Sequence, residues 1–224
     1  GYGPGPPKIF HAARRGDRGY AEIARALYGG EGSLGNGAAM RAAPLGLAYR
    51  DGAELRPAAE RAAEVTHAHP VGRDAGVLQA LAVGLALQAA LDGTHLDPNA
   101  VAVRLAGACA TAEMAEKMAA VRDLLAAGAP AARVADAVGR SVAAHESVPF
   151  AIYAALAAPD DFEACLDIAI FNGGDRDTLG AMAGAIAGAH LGEAALPAAW
   201  RDRVERGDDL RGLAHALAAK FPAA

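Results

Sequence analysis

Period-2 alternation of apolar and polar positions is almost absent along this chain, so strands are not expected and helical patterns follow one another. Helices are predicted over 19–27, 40–49, from Pro57 to about His67, 74–91, and in one or two pieces over 97–125, ending near Gly128. Further helices are predicted over 130–143, 160–171, 178–191, 197–205 and 210–221. Pro149 is expected to kink or restart the chain within HESVPFAIYAAL. In GVLQALAVGLALQAAL the apolar residues cover most of the helix circumference, which places that segment in the middle of the fold. The opening GYGPGPPKIF carries too much Gly and Pro for regular structure. After it, connections are short, no linker divides the chain and no repeat of fixed period is evident. The expectation is one all-helical domain over residues 1–224.

Composition narrows this picture. A chain of 224 residues suits one large domain or two small ones. Its excess of Ala and Gly favours closely packed helices. Aromatics make up 5% and the formal net charge is -5, which argues against a direct nucleic-acid surface. Cys109 and Cys165 have no CxxC spacing and read as buried free thiols of a reducing compartment. The apolar stretch LGAMAGAIAGAHLG is shorter than the ~18 residues that would suggest a membrane span. A cytoplasmic protein with no membrane partner is therefore expected.

Candidate chemistry concentrates in two glycine-rich places. FNGGDRDTLG sets Asp175, Asp177 and Thr178 at the start of a helix, where three oxygens can converge on Mg²⁺ or Mn²⁺. The competing reading is an N-cap with acidic residues in the first turn and Arg176 paired to a carboxylate. Downstream, Gly180, Gly184, Gly188 and Gly192 form a smooth stripe for close packing of another helix. The second place, GGEGSLGNGAAMR, matches neither a P-loop nor a dinucleotide fingerprint. Its backbone N–H groups, with Ser33, Asn36 and Arg41, can still cradle an anion, or it is a plain connection capped by Asn36. His67 and His69 lie two apart, which turns their rings away from each other on a helix, so one is expected at a helix end. Ser147 with His145 resembles a nucleophile–base pair without the G-x-S-x-G elbow. Glu146 reads as a polar group satisfied within the core.

Taken together, GSLGNGAAMR, THAHPVGRDAGVLQALAVGLAL and HESVPFAIYAAL followed by FNGGDRDTLGAMAGAIAGAHLG resemble the ADP-ribosylglycohydrolases. The branch most resembled releases ADP-ribose from serine and from poly(ADP-ribose). The resemblance implies a compact orthogonal helical bundle, of which this chain would be the C-terminal two thirds. It implies two Mg²⁺ or Mn²⁺ ions held in part by Asp175, Asp177 and Thr178, as in the family's GGDxDT motif. It also implies ADP-ribose binding by Tyr28 beside the adenine, by Gly32, Ser33, Leu34, Gly35 and Asn36 along the diphosphate, and by His67 near ribose and phosphate. The implied substrate is ADP-ribose on a protein side chain or in the polymer, cleaved hydrolytically. Two positions depart from the family pattern: Arg176 replaces a common Thr, and Leu34 an aromatic. The family's remaining metal ligands and catalytic Glu are expected outside this chain, on an N-terminal segment or a companion chain. An ADP-ribose-binding or structural relative without catalysis is the alternative.

Overall fold

Pro6 and Pro7 start a helix rather than prevent one. In the computed structural model, which describes residues 3–16 and 18–222, α1 (Gly5–Arg14) has proline in its first turn. Those positions have no intrahelical N–H partner to lose, so the expectation of irregular structure over the opening segment is corrected. Gly1 and Tyr2 of that segment lie outside the described residues.

The helices that follow are α2 (Tyr20–Arg25), α3 (Gly37–Met40), α4 (Ala43–Tyr49), α5 (Leu55–Glu64) and α6 (Pro70–Leu91). Then come α7 (Pro98–Ala106), α8 (Ala112–Ala126), α9 (Ala131–Val138), α10 (Ala144–Ala157) and α11 (Phe162–Phe171). The chain ends with α12 (Arg176–Leu191), α13 (Ala198–Arg201) and α14 (Gly207–Lys220). Among the described residues there is no strand, only one antiparallel bridge between Gly35 and Ala143. The fold is all-α, a compact helical bundle.

Several predicted boundaries move for local reasons. The helix expected over 40–49 is two, because Pro44 sits in the first turn of α4 and has no N–H to continue α3. α6 begins at Pro70, earlier than predicted, because His69 caps it by accepting a hydrogen bond from the amide of Val71 at Nδ1 (3.2 Å). α9 stops at Gly139, whose φ of 86° ends the helix before the predicted Ala143. α10 runs through Pro149 as one helix, so the chain does not restart there.

α6 lies at the centre, packed on α3, α4, α5, α10 and α12. By length and composition it could cross a membrane, which makes it a stronger candidate than residues 179–192. Within the fold 67% of its most apolar window is buried. Its buried Gln79 donates to the carbonyl of Met182 on α12 (2.9 Å). Asp74, also buried, accepts from the amides of Ala110 and Thr111 (2.9 Å each) and from the Thr111 hydroxyl (3.0 Å), tying the start of α8 to α6. The glycine stripe of α12 meets α11. A Cβ on Gly184 would stand 3.3 Å from Leu166, and one on Gly180 3.4 Å from Ile170. Gly192 instead ends α12 at positive φ.

Candidate functional site

Three backbone bonds bring distant segments together. The amide of Asn36 donates to Val142 O (3.0 Å) and that of Ala144 to Leu34 O (3.0 Å). The amide of Asp175 donates to Arg140 O (2.9 Å). The glycine-rich loop before α3, the segment between α9 and α10, and the approach to α12 thus meet along one line. Gly174 permits the last contact: its φ is 80° and any Cβ there would collide with the Arg140 carbonyl oxygen.

Side chains complete the junction. Asn36, 7% exposed, donates from Nδ2 to Asp175 Oδ2 (2.7 Å) and to Ser147 Oγ (3.1 Å). One amide NH₂ has two hydrogens, so both bonds form at once. Ser147, fully buried, passes its own proton to Ala143 O (3.1 Å). Its hydroxyl is therefore engaged away from His145, and the suggested nucleophile–base pair does not form.

Asp175 occupies the N-cap position of α12, yet its side chain makes no capping hydrogen bond. Arg176 is exposed, and no ion pair joins it to Asp175 or Asp177 among the described residues. Both features that would have made this a plain helix start are therefore missing. Asp177 is exposed and Thr178 is buried, its hydroxyl 3.7 Å from Met40 Sδ. The donors at this helix start are oxygens, the kind a hard divalent ion takes. Among the described residues no three His, Cys, Asp or Glu side chains gather to hold a metal, so they supply only part of an octahedral shell.

Within the glycine-rich loop the amides divide into two sets. Those of Gly32, Gly35 and Asn36 donate to Leu27 O, Ser33 Oγ and Val142 O respectively. Those of Ser33 and Leu34 have no protein partner among the described residues. His67, 9% exposed, packs beneath the loop: a Cβ on Gly37 would stand 2.9 Å from its Cε1. Burial, and secondarily the charge of Arg41, holds its pKa down at about 4. Tyr28 (φ 54°) and Leu34 remain exposed, at 56% and 39%. The sequence-predicted residues therefore converge in part. Asn36 touches Asp175 and His67 underlies the loop, whereas Tyr28 and Leu34 present free faces.

The family model of the ADP-ribosylglycohydrolases matches residues 1–224. The chain belongs to the ADP-ribosylglycohydrolase family. It is 34% identical over 242 aligned positions to the ADP-ribosylhydrolase ARH3 of Homo sapiens, covering 97% of this chain and 67% of that protein. For the ARH3 of Bos taurus the identity is also 34%, over 97% of this chain and 66% of that one. The ADP-ribosyl-[dinitrogen reductase] glycohydrolase of Rhodospirillum rubrum is 29% identical over 89% of this chain and 61% of its own length. The chain thus spans about two thirds of the curated relatives it matches. A solved ADP-ribosylglycohydrolase-related protein complex superposes with a TM-score of 0.62 at 28% identity, covering 95% of this chain and 74% of that one.

In this member of the ADP-ribosylglycohydrolase family, the partners that organise the site leave little trace in the sequence. Ser147 reads from sequence as a nucleophile candidate, whereas in the fold it supports Asn36. Arg140 and Val142 contribute only backbone carbonyls, which carry no residue signal. Glu146 is half-buried and accepts from the amide of Ser141 (3.2 Å), which braces the turn before Val142, while the Ser141 hydroxyl first and that amide after it hold its carboxyl below the usual range. Cys109 and Cys165 are free, Cys165 buried and Cys109 only half so, and burial pushes both thiols up to about 12.

Proposed function

We propose that the complete protein hydrolyses the glycosidic bond linking ADP-ribose to a protein side chain or to poly(ADP-ribose), with Mg²⁺ or Mn²⁺. The observation that carries this reading is the 2.7 Å hydrogen bond from Asn36 to Asp175, which joins the anion-cradling loop to the acidic site. Relatives named as ADP-ribosylhydrolase ARH3 and as ADP-ribosyl-[dinitrogen reductase] glycohydrolase support it. In this reading residues 1–224 form one domain of a cytoplasmic protein that needs neither membrane nor nucleic acid.

The amides of Ser33 and Leu34 and the ring N–H of His67 take the diphosphate oxygens, while Tyr28 and Leu34 flank the adenine. Gly32, Gly35 and Asn36 hold the loop in shape. At the other end Asp175, Asp177 and Thr178 would hold two ions, and the hydrogen bond from Asn36 fixes one oxygen of Asp175. When bound, the ions orient the distal ribose hydroxyls and stabilise charge that develops as the bond breaks. The remaining ligands and the acid–base carboxylate belong to another segment of the complete protein or a companion chain, since the oxygens here fill only part of a shell.

Titration with Mn²⁺, followed by electron paramagnetic resonance, tests the metal role without turnover. Asp175→Ala with Asp177→Ala should lose binding, and equal Mn²⁺ affinity in the double variant would refute it. The incomplete ligand set favours a second reading, an ADP-ribose binder without turnover. Release of ADP-ribose from modified protein by the complete protein separates the two: calorimetric binding without release supports the second.

A further inference from the structure

Next to His67 runs a short polar chain that the site as described does not use. Arg41 Nη2 donates to Thr66 Oγ1 (2.6 Å) and to Ala62 O (2.9 Å), and Arg41 Nη1 donates to Gly37 O (3.1 Å). Thr66 Oγ1 lies 2.7 Å from His67 Nδ1.

Donor and acceptor roles follow from chemistry. A guanidinium can only donate, so the Thr66 oxygen accepts from Arg41. The hydroxyl's own proton then has one acceptor within reach among the described residues, Nδ1 of His67. With Nδ1 accepting, the neutral ring carries its proton on Nε2. The ring edge bearing Nε2 faces the loop: Cβ atoms built on Gly37 and Gly35 would stand 3.0 and 3.5 Å from Nε2. No described residue accepts a hydrogen bond from Nε2, although His67 as a whole is only 9% exposed. A ring N–H without a protein partner, still reachable at the edge of a largely buried residue and set beside the free amides of Ser33 and Leu34, is a donor open to an acceptor.

We propose that Thr66 and Arg41 are positioning residues that hold His67 as the neutral Nε2–H tautomer, so that this N–H is donated to an anionic oxygen seated against Gly35 and Gly37. The identity of that oxygen as a diphosphate oxygen of ADP-ribose rests on the function proposed above; the relay itself does not. Burial and the Arg41 charge both oppose an imidazolium here, so at neutral pH the ring donates through one N–H of fixed direction. Arg41 also ties the relay to the loop, because it bonds the Gly37 carbonyl and the Thr66 hydroxyl with one planar fork.

The test uses the 224-residue chain with ¹⁵N-labelled histidine. At pH 7, long-range ¹H–¹⁵N correlation should give His67 a protonated, pyrrole-type Nε2 and an unprotonated, pyridine-type Nδ1. Thr66→Val, which keeps the shape and removes the hydroxyl, should shift both signals toward a tautomer mixture. Thr66→Ser should restore the wild-type pattern. A wild-type ring protonated on Nδ1, or a Thr66→Val spectrum identical to wild type, would overturn the relay. Calorimetric titration with ADP-ribose should show about tenfold weaker binding for Thr66→Val and wild-type affinity for Thr66→Ser. Loss of affinity with the tautomer unchanged would also overturn the relay. If the wild-type chain has the stated tautomer but takes up no ADP-ribose, the relay stands and the assignment of that oxygen to ADP-ribose falls.

Discussion

Replacing Asn36 probes the junction between loop and acidic site most directly. Asn36→Ala removes a charge-assisted hydrogen bond to Asp175 and a neutral one to Ser147, both buried or partly buried. Such bonds contribute about 1.5–3 and about 1 kcal/mol, so a loss of roughly 3 kcal/mol is expected, with part of the lost packing added. Asn36→Asp keeps the shape but sets a second carboxylate where the amide stood, 2.7 Å from Asp175 Oδ2. At about 4 Å and an effective dielectric of about 20, two like charges repel by about 4 kcal/mol. The isosteric variant should therefore be the less stable of the two at pH 7. The folded pair escapes by taking up a proton, so its upper pKa rises above that of the unfolded chain. Stability then returns as pH falls through that raised value, and the gap between the variants should close toward pH 4. Urea unfolding followed by far-ultraviolet circular dichroism at pH 7 and pH 4 measures both. If Asn36→Asp is as stable as Asn36→Ala at pH 7, the amide is not the donor that joins the loop to Asp175.

Two further outcomes follow from the geometry. The His67 pKa is depressed from 6.5 to about 4, so below pH 6.5 the unfolded chain binds the proton first and stability is lost as pH falls from 6.5 to about 4. The loss amounts to roughly 3 kcal/mol. His67→Gln should flatten the stability profile in that window, and parallel profiles for variant and wild type would refute the assignment. Gly174→Ala forces a Cβ into the Arg140 carbonyl at positive φ, whereas Gly173→Ala meets only Arg140 Nε at 3.6 Å. The first should cost several kcal/mol and the second about 1–2 kcal/mol, the strain of a left-handed residue alone. Equal melting temperatures for the two alanine variants would contradict the close approach.

Much of the helical order was legible because it is local. Three- and four-residue spacing, first-turn prolines and terminal glycines act within a few residues, so α5, α6, α11 and α12 could be read from the chain. The fold departs from the local pattern where one local rule overrides another. Pro6 and Pro7 read as breakers but sit in a first turn, and Pro149 lies inside a helix that continues regardless. The acidic motif GGDRDT was visible as a group of oxygens, but its competing role as a helix cap was not decidable from the same residues. That question depended on where the Asp175 side chain bonds and whether Arg176 pairs with it.

The sequence by itself determined the all-helical class, the two glycine-rich stretches and the chemical type of the donors near Asp175. Tertiary structure alone decided that Asn36 and Asp175, 139 positions apart, share a hydrogen bond, and that Ser147 supports them. It also decided that Thr66 faces His67 Nδ1 while the opposite ring edge faces the loop. The reason is physical. Backbone propensity is set by neighbours in the chain, whereas a hydrogen bond between distant side chains exists only once packing around α6 has fixed the position of both.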